Sequence, residues 1–534
     1  MSVRTQVLVV GAGPVGLTLA IDLGRRGVQC ILVEQKEAPQ FLPKMERCNA
    51  RTMEIYRRMG LARKIRDAGF PRDVPMDVFI VTSLVEPPLV HLPYPSVAQA
   101  QAEIAACRDG SMPLEPYQLI SQYTLEPLLK SVAESLPTVS VRYRHEFIAF
   151  EQDARSVRAK IKAADGMIEI EARYLVGCDG GTSAVRRQLG IQLRGEANLL
   201  QLRQALYRCD DLFERIPIGK GRHYHVADDH NSFLIVQDST KHFTLHSVVD
   251  SNDDMKKMFE QVVAMPVQYE MLSCAPWRQN LLLAESYGQG RVFLAGDAVH
   301  LVIPTGGLGM NSGVGDGIDL SWKLAATLQG WGGAGLLASY DAERRPIGAR
   351  NVEASRQASR GRRAWRAAYR PNIRDNTPDG AATRARLACI ADVEQRKSNE
   401  MIGAELGYRY DRSPIVWPES GDPPADDIMR YVPTTWPGAR LPHVWLSDGR
   451  ALHDLIGEGY TLLRLGRTQA DTAPLERAFA GYAAPFTTLA IADERPRAIY
   501  GYDLLLLRPD LHVVWRGNRL PDDPTKLAAI ATGH

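Results

Sequence analysis

The segment VLVVGAGPVGLTLAIDLGRRGVQCILVE at 7–34 leaves few folds open to this chain. Residues 4–10 read as a buried parallel strand, and 14–26 as a helix opened by glycines. Residues 28–34 form a second strand that ends in Glu34, which completes one βαβ unit. Gly11, Gly13 and Gly16 lie where the first strand turns into the helix. Gly11 permits the tight turn, and Gly13 followed by Pro14 lets a pyrophosphate approach the backbone at the helix N-terminus. Gly16 lets helix and strand pack closely. Glu34, at the end of the second strand, is placed to bind ribose hydroxyls. The pattern predicts a bound dinucleotide but does not separate NAD from FAD.

A second segment, GRVFLAGDAVHLVIPTGGLGMNSGVGDGIDLSWKL at 290–324, separates them. A strand ends at Asp297, where a carboxylate can accept a hydrogen bond from a ribityl hydroxyl. The loop from Pro304 through Gly309 to Met310 and Asn311 then enters a helix, and its glycines leave room for a flat ring. The amides of Met310 and Asn311 at that helix start would face the pyrimidine end of an isoalloxazine. The positive end of the helix dipole favours negative charge there as the flavin is reduced. Together the two segments predict FAD held along its length.

Composition excludes several other classes. At 534 residues the chain is long enough for two or three domains, and a net charge of +2 gives no field to recruit nucleic acid or membrane. The seven cysteines are scattered, with no CxxC and no Cys/His cluster, so neither a disulfide framework nor a metal site is expected, and a reducing cytosol fits. The apolar run from Val7 to Ala20 is too short and too glycine-broken to span a bilayer. Arginines crowd the helix around 344–370, and a solvated face is the expectation for them over a lipid-binding one.

Four stretches carry a resemblance: GAGPVG at 11–16, YLVGCDGGTSAVRRQLGI at 174–191, GDAVHLVIPTGGLGMNSG at 296–313 and LLASYDAERRPIGARN at 336–351. In that order they resemble the class A flavoprotein monooxygenases, the single-component aromatic hydroxylases. The tail resembles the thioredoxin-like C-terminal domain of the phenol hydroxylase and aromatic polyketide hydroxylase branch, on YRY at 408–410, PGAR-x-P at 437–442 and RPD-x4-WR at 508–516. The resemblance implies an α/β fold with a Rossmann-like FAD-binding domain of the p-hydroxybenzoate hydroxylase type over 1–70, 118–190 and 266–370. An antiparallel sheet for substrate is inserted from 71–117 and 191–265. A linker at 371–407 and a thioredoxin-like domain at 408–534 complete the expected order.

It also implies site residues. Asp179 in the Asp-Gly motif serves FAD and the nicotinamide cosubstrate, and Gln122 contacts the FAD pyrophosphate–ribose region. Lys44 stands at the position of a family arginine, and Arg47 lies three residues later. Arg47 is the expected phosphate contact, with Lys44 as the alternative. Glu46 falls where phenol hydroxylases carry an acid near the substrate hydroxyl. One departure is Asp316-Gly317-Ile318-Asp319, where relatives commonly read Gln-Asp-Ala-x-Asn.

The implied reaction uses NADPH or NADH as a transient cosubstrate. A flavin C4a-hydroperoxide formed with O2 then hydroxylates a phenolic or other activated ring. Epoxidation or Baeyer–Villiger chemistry on a polycyclic product, or an FAD protein without turnover, are the alternatives. A base is needed, and the inserted sheet offers Tyr207, His223, Tyr224, His225 and His246. On one strand His223 and His225 share a face and Tyr224 takes the other. Glu46, His225 and Tyr224 are the catalytic candidates. The identity of the aromatic substrate and the choice between a monomer and a homodimer stay open.

Overall fold

The computed structural model describes residues 2–534. The first sheet places Val139–Tyr143, Cys30–Glu34, Ser2–Val10, Gly166–Gly177 and Val292–Leu294 side by side, all parallel. Val7, Leu8 and Val9 are wholly buried at its centre. A parallel strand covered on both faces needs such an unbroken apolar run. Helix Pro14–Arg25 covers one face and packs on helix Gly309–Gln329. That approach depends on Gly313, where a Cβ would lie 2.5 Å from Val15 and 2.9 Å from the Gly296 backbone. The two helices therefore bring the two glycine-rich segments of the sequence together.

The second sheet runs in the order His300–Leu301, Glu270–Ala284, Leu193–Arg208, His242–Ser247, Phe233–Val236, His223–Val226, Val78–Val81, Val90–Leu92. It is antiparallel except where His223–Val226 runs parallel to Val78–Val81. The weakly patterned 71–117 stretch supplies two edge strands and helix Val97–Ala106, which opens with a capping box between Ser96 and Gln99. Strand Glu270–Ala284 corrects the expected boundary at 266. It pairs with Leu193–Arg208 along nearly its whole length and so belongs to the second sheet. Its partner lies some seventy positions upstream, out of reach of any local pattern.

The expected linker at 371–407 is also corrected, because it is folded. Thr377 caps helix Pro378–Glu394 by accepting from the Gly380 amide, and Pro378 fits the first turn, where no N–H is needed. Leu387 and Ala391 pack with Trp365, Val78 and Ile80. The arginine-rich helix Ala334–Arg366 departs from a simple solvated face. Arg344 and Arg366 are buried, and Arg345, Arg350 and Arg356 pair with Asp341, Asp426 and Glu196.

The C-terminal sheet has the order Phe486–Ile491, Tyr460–Leu465, Leu504–Leu507, Val513–Gly517. The first pair is parallel and the rest antiparallel. Helices Ala473–Gly481, Glu494–Tyr500 and Pro524–Thr532 complete the thioredoxin-like order. All seven cysteines are free, and none lies in this unit. Among the described residues no helix is long and apolar enough to cross a membrane. Nor does any group of three or more His, Cys, Asp or Glu among them come together to hold a metal.

Candidate active site

A cavity of about 830 Å³ runs from the Gly11–Gly16 turn, past the 304–311 loop, to the inner face of the second sheet. At its nucleotide end Gly11 has φ +106°, and a Cβ there would strike the Cys178 carbonyl at 2.4 Å. Gly16 would put a Cβ 2.0 Å from the Gly11 carbonyl, so neither position admits a side chain. Around Gly13 the nearest atom to such a Cβ, Glu126 Oε1, is 4.0 Å away. The backbone is thus bare toward the cavity where a pyrophosphate would sit. The Glu34 carboxylate accepts from the Ala12 amide at 2.9 Å and the Lys36 amide at 3.1 Å, which fixes it at the strand end.

In the middle, Asp179 caps the turn at 183–185, its Oδ2 accepting from Ala184 N at 2.7 Å and Val185 N at 3.1 Å. Its Oδ1 is buried without a partner, and burial raises its pKa. The Arg186 guanidinium donates to the Ala298 and Gly181 carbonyls at 2.9 and 3.0 Å, binding the Asp-Gly motif to the Asp297 turn. Asp297 is accessible through the cavity yet deep in the molecule. Burial pushes its pKa up, against the opposing charges of His300 and Lys44. Gln122 donates to Glu126 at 2.6 Å on the same wall.

Arg47 lines the cavity beside the ring loop. Its guanidinium donates to the Gly306 carbonyl, sits 3.7 Å from Glu405, and fills the space a side chain at Gly307 would need. It thus supports the ring loop. Lys44 is the cation whose charge reaches both Asp297 and Glu126. Arg47 begins the short strand Arg47–Cys48 and is buried there.

At the ring loop Gly306 and Gly307 have φ of +92° and +64°. Asn311 accepts from the Asn49 amide at 2.9 Å and donates to the Gly307 carbonyl at 2.6 Å. The first amides of helix Gly309–Gln329 have no intrahelical partner. Pro304, Gly309, Met310 and Asn311 all line the cavity. Asp316 anchors this helix from behind. It accepts from Gly296 N at 3.1 Å, His300 Nε2 at 2.8 Å and Arg344 Nε at 2.8 Å. The orphaned Asp179 oxygen, the bare Gly13 backbone and the free helix amides all fit an elongated anionic dinucleotide with a flat head.

Beyond the loop, Glu46 lies 2.7 Å from His223 Nε2. Burial alone would push Glu46 up, but His223, Arg222 and Arg47 bring it down to about 2. His223 is itself lowered, by burial first and against the pull of Glu46. The catalytic candidates separate here. Tyr224 faces away from the cavity, stacked at 5.2 Å on Phe79 with its hydroxyl donating to the Gly219 carbonyl at 2.7 Å. Tyr207 is likewise in the core, donating to the Met255 carbonyl at 2.8 Å. His225 shares the face of His223 but does not line the cavity. Gln395, from the segment expected to be a linker, covers it at 3.1 Å. His223 and His246 reach the cavity instead. Trp277, Gln237 and Arg362 also line it and were not foreseen. Arg362 is one of eight arginines on its helix, and only packing distinguishes it.

The FAD binding domain family model matches residues 4–355, and the aromatic-ring hydroxylase C-terminal family model matches 434–533. An FAD-dependent monooxygenase of Emericella nidulans is 31% identical, covering 99% of this chain and 90% of its own. The 4-methyl-5-nitrocatechol 5-monooxygenase of a Burkholderia species is 30% identical, covering 98% and 96%. Among solved structures, the rebeccamycin biosynthetic enzyme RebC with reduced flavin superposes with a TM-score of 0.91 at 33% identity, covering 100% of this chain and 99% of that one. Aklavinone-11 hydroxylase with FAD and aklavinone gives 0.83 at 27% identity, covering 100% and 99%. By sequence, fold and the site just described, the chain belongs to the FAD-dependent aromatic-ring hydroxylases, a family of monooxygenases.

Proposed function

We propose that this monooxygenase takes electrons from NADH or NADPH and transfers one oxygen atom of O2 to a phenolic or similarly activated aromatic ring. The observation that carries this reading is the continuity of one cavity from the Gly13 backbone, past the ring loop, to the Glu46–His223 pair. FAD bound in the cavity supplies the redox and oxygen-transfer chemistry. The protein's residues bind, orient and exclude water. Gly11, Gly13, Gly16 and Glu34 would hold the adenosine half. Gln122, Lys44, Asp179 and Asp297 would hold the pyrophosphate and ribityl chain. The amides at Met310 and Asn311 would hold the pyrimidine edge, where the helix dipole favours negative charge.

Glu46 is the group facing the reacting ring. His223 occupies one of its oxygens and keeps it ionised, leaving the other to accept a hydrogen bond from a ring hydroxyl. That charge-assisted hydrogen bond polarises the hydroxyl and pushes electron density onto the ortho and para carbons, which an electrophilic oxygen donor attacks. His246, pushed down to about 3 by burial, is neutral and can accept or donate a hydrogen bond. Two relatives bear the names phenol 2-monooxygenase and 4-methyl-5-nitrocatechol 5-monooxygenase, and hydroxylated rings suit this carboxylate. The test is a panel of phenols, catechols and fused-ring phenols under labelled dioxygen. Product carrying one heavy oxygen is expected. Unlabelled product, or product formed without O2, would overturn the proposal.

A further inference from the structure

Like the exposed Arg278, Arg362 is a charged side chain at the substrate end of the cavity that makes no ion pair among the described residues. It projects from helix Ala334–Arg366 into the cavity, and its guanidinium makes no hydrogen bond or ion pair. Its Nε is buried without a partner, and its only close neighbour of note is the Phe233 ring, 5.1 Å from Cζ. Of the surrounding charges, Arg222 also lacks an ion pair, but it stacks on Tyr94 and Tyr117 and does not line the cavity. Arg47 faces Glu405 at 3.7 Å, and Arg366 faces Asp228 at 3.5 Å and donates to two backbone carbonyls. Glu46 is bonded to His223 and shared through space by Arg222 and Arg47. His223, His225 and His246 are all driven toward neutrality, in part by Arg362 itself. Burial and Arg366 hold the guanidinium below its ordinary value, to about 9, against the opposing charge of Glu46, which acts on it only through space.

Water filling the cavity can solvate this cation, but a bound aromatic ring expels that water. A desolvated guanidinium with no directly bonded anion is costly, whereas one meeting a planar carboxylate in two parallel hydrogen bonds is strongly favoured. Glu46 requires a donor and repels an anion, so the two ends of the site ask for opposite groups. We propose that the substrate is a hydroxyaryl carboxylate, its hydroxyl at Glu46 and its carboxylate against Arg362. This rests on the hydroxylase reading and adds orientation to it. The carboxylate at Arg362 fixes which ring carbon faces the flavin loop. Gln237, whose Oε1 is buried without a partner while its amide donates to Thr244 at 2.9 Å, and His246 supply further polar contacts on the same wall.

The probes are 6-hydroxy-2-naphthoate and 6-hydroxy-2-naphthamide, which differ only at the group facing Arg362. Dissociation constants with the FAD-loaded enzyme at pH 7.5 are expected to favour the acid at least tenfold. Arg362→Gln should abolish that preference with the amide's affinity unchanged, and Arg362→Lys should keep part of it. Equal binding of acid and amide, failure of both to bind at millimolar concentration, or a preference that survives Arg362→Gln would overturn the proposal. Product analysis separates the two readings. Oxygenation of the amide without any preference for the acid defeats the anion site and leaves hydroxylation standing. Arg362-dependent binding of the acid in an enzyme that oxygenates no phenol defeats the reaction instead.

Discussion

Glu46 shows how one residue's surroundings set its use. Burial opposes its charge, yet His223, Arg222 and Arg47 hold it at about 2, below the ordinary 4.5. A carboxylate this acidic is ionised throughout the working range, so its contribution to rate should not titrate between pH 5 and 9. Glu46→Gln keeps the shape and removes the charge. Hydroxylation should fall by about 10²-fold or more, with FAD content unchanged. Loss of FAD with normal turnover per bound flavin would remove Glu46 from the substrate site. The sign of its effect on stability follows from the depressed value. The stabilisation is fully present above 4.5 and is lost as pH falls toward 2. The melting-temperature gap between wild type and Glu46→Gln should therefore be flat above pH 5 and close below about pH 4. At this scale the family resemblance put Glu46 forward, and the structure places it on the cavity wall. Strand alternation put His223 and Tyr224 on opposite faces, but which face met the cavity depended on helix Asn252–Val263 covering the Tyr207 and Tyr224 side of the sheet.

Helix Gly309–Gln329 is the element on which the site turns, and buried ions hold it. Arg508 of the C-terminal unit donates to Asp319 and to Glu343 at 2.6 Å each, and Lys323 reaches the same two carboxylates at 2.7 and 2.5 Å. Asp319, raised by burial to about 7, depends on these cations to stay charged at neutral pH. This explains the departure at 316–319 in physical terms. Asp316 anchors the Gly296 turn and Arg344, and Asp319 meets Arg508. Arg508→Met leaves three buried carboxylates, Asp319, Glu343 and Asp510, short of a cation, and breaking such a buried pair typically costs about 3–5 kcal/mol. Thermal unfolding should show that loss. Double substitution with Asp319→Asn should recover part of it, and strictly additive losses would show that the two residues do not interact. The elements themselves were readable wherever their pattern is local, as in the glycine turn and the helix after the ring loop. The membership of Glu270–Ala284 and the folding of 371–407 were not readable, because each is fixed by partners far along the chain.

For the whole molecule, the C-terminal unit behaves as part of the flavin domain's core. Tyr460 sits 6.3 Å from Trp322 and 6.0 Å from Trp331, within one cluster that also takes in Leu336, Leu475 and Leu527. The chain's end closes on the start of the arginine-rich helix. Gly333 and Gly335 donate to the Thr532 and Gly533 carbonyls at 2.8 and 2.9 Å, and Gly533 has φ +75° with the Leu336 amide only 2.3 Å from where its Cβ would be. The same helix carries Arg344 behind the ring loop and Arg362 in the cavity. A second grip joins Arg440 to Glu54 on helix Ala50–Arg58, whose N-cap Asn49 bonds Asn311. Both helices flanking the flavin loop are thus held by residues beyond 430. Interfaces built from apolar contacts and buried ions unfold together with what they cover. Heating the FAD-bound chain should give one transition, in which tryptophan emission shifts and released flavin fluoresces at the same temperature. Gly533→Val, which forces a side chain into a left-handed residue with no room, should lower both midpoints equally. If the C-terminal unit melted first with FAD still bound, the coupling argued from these contacts would be wrong.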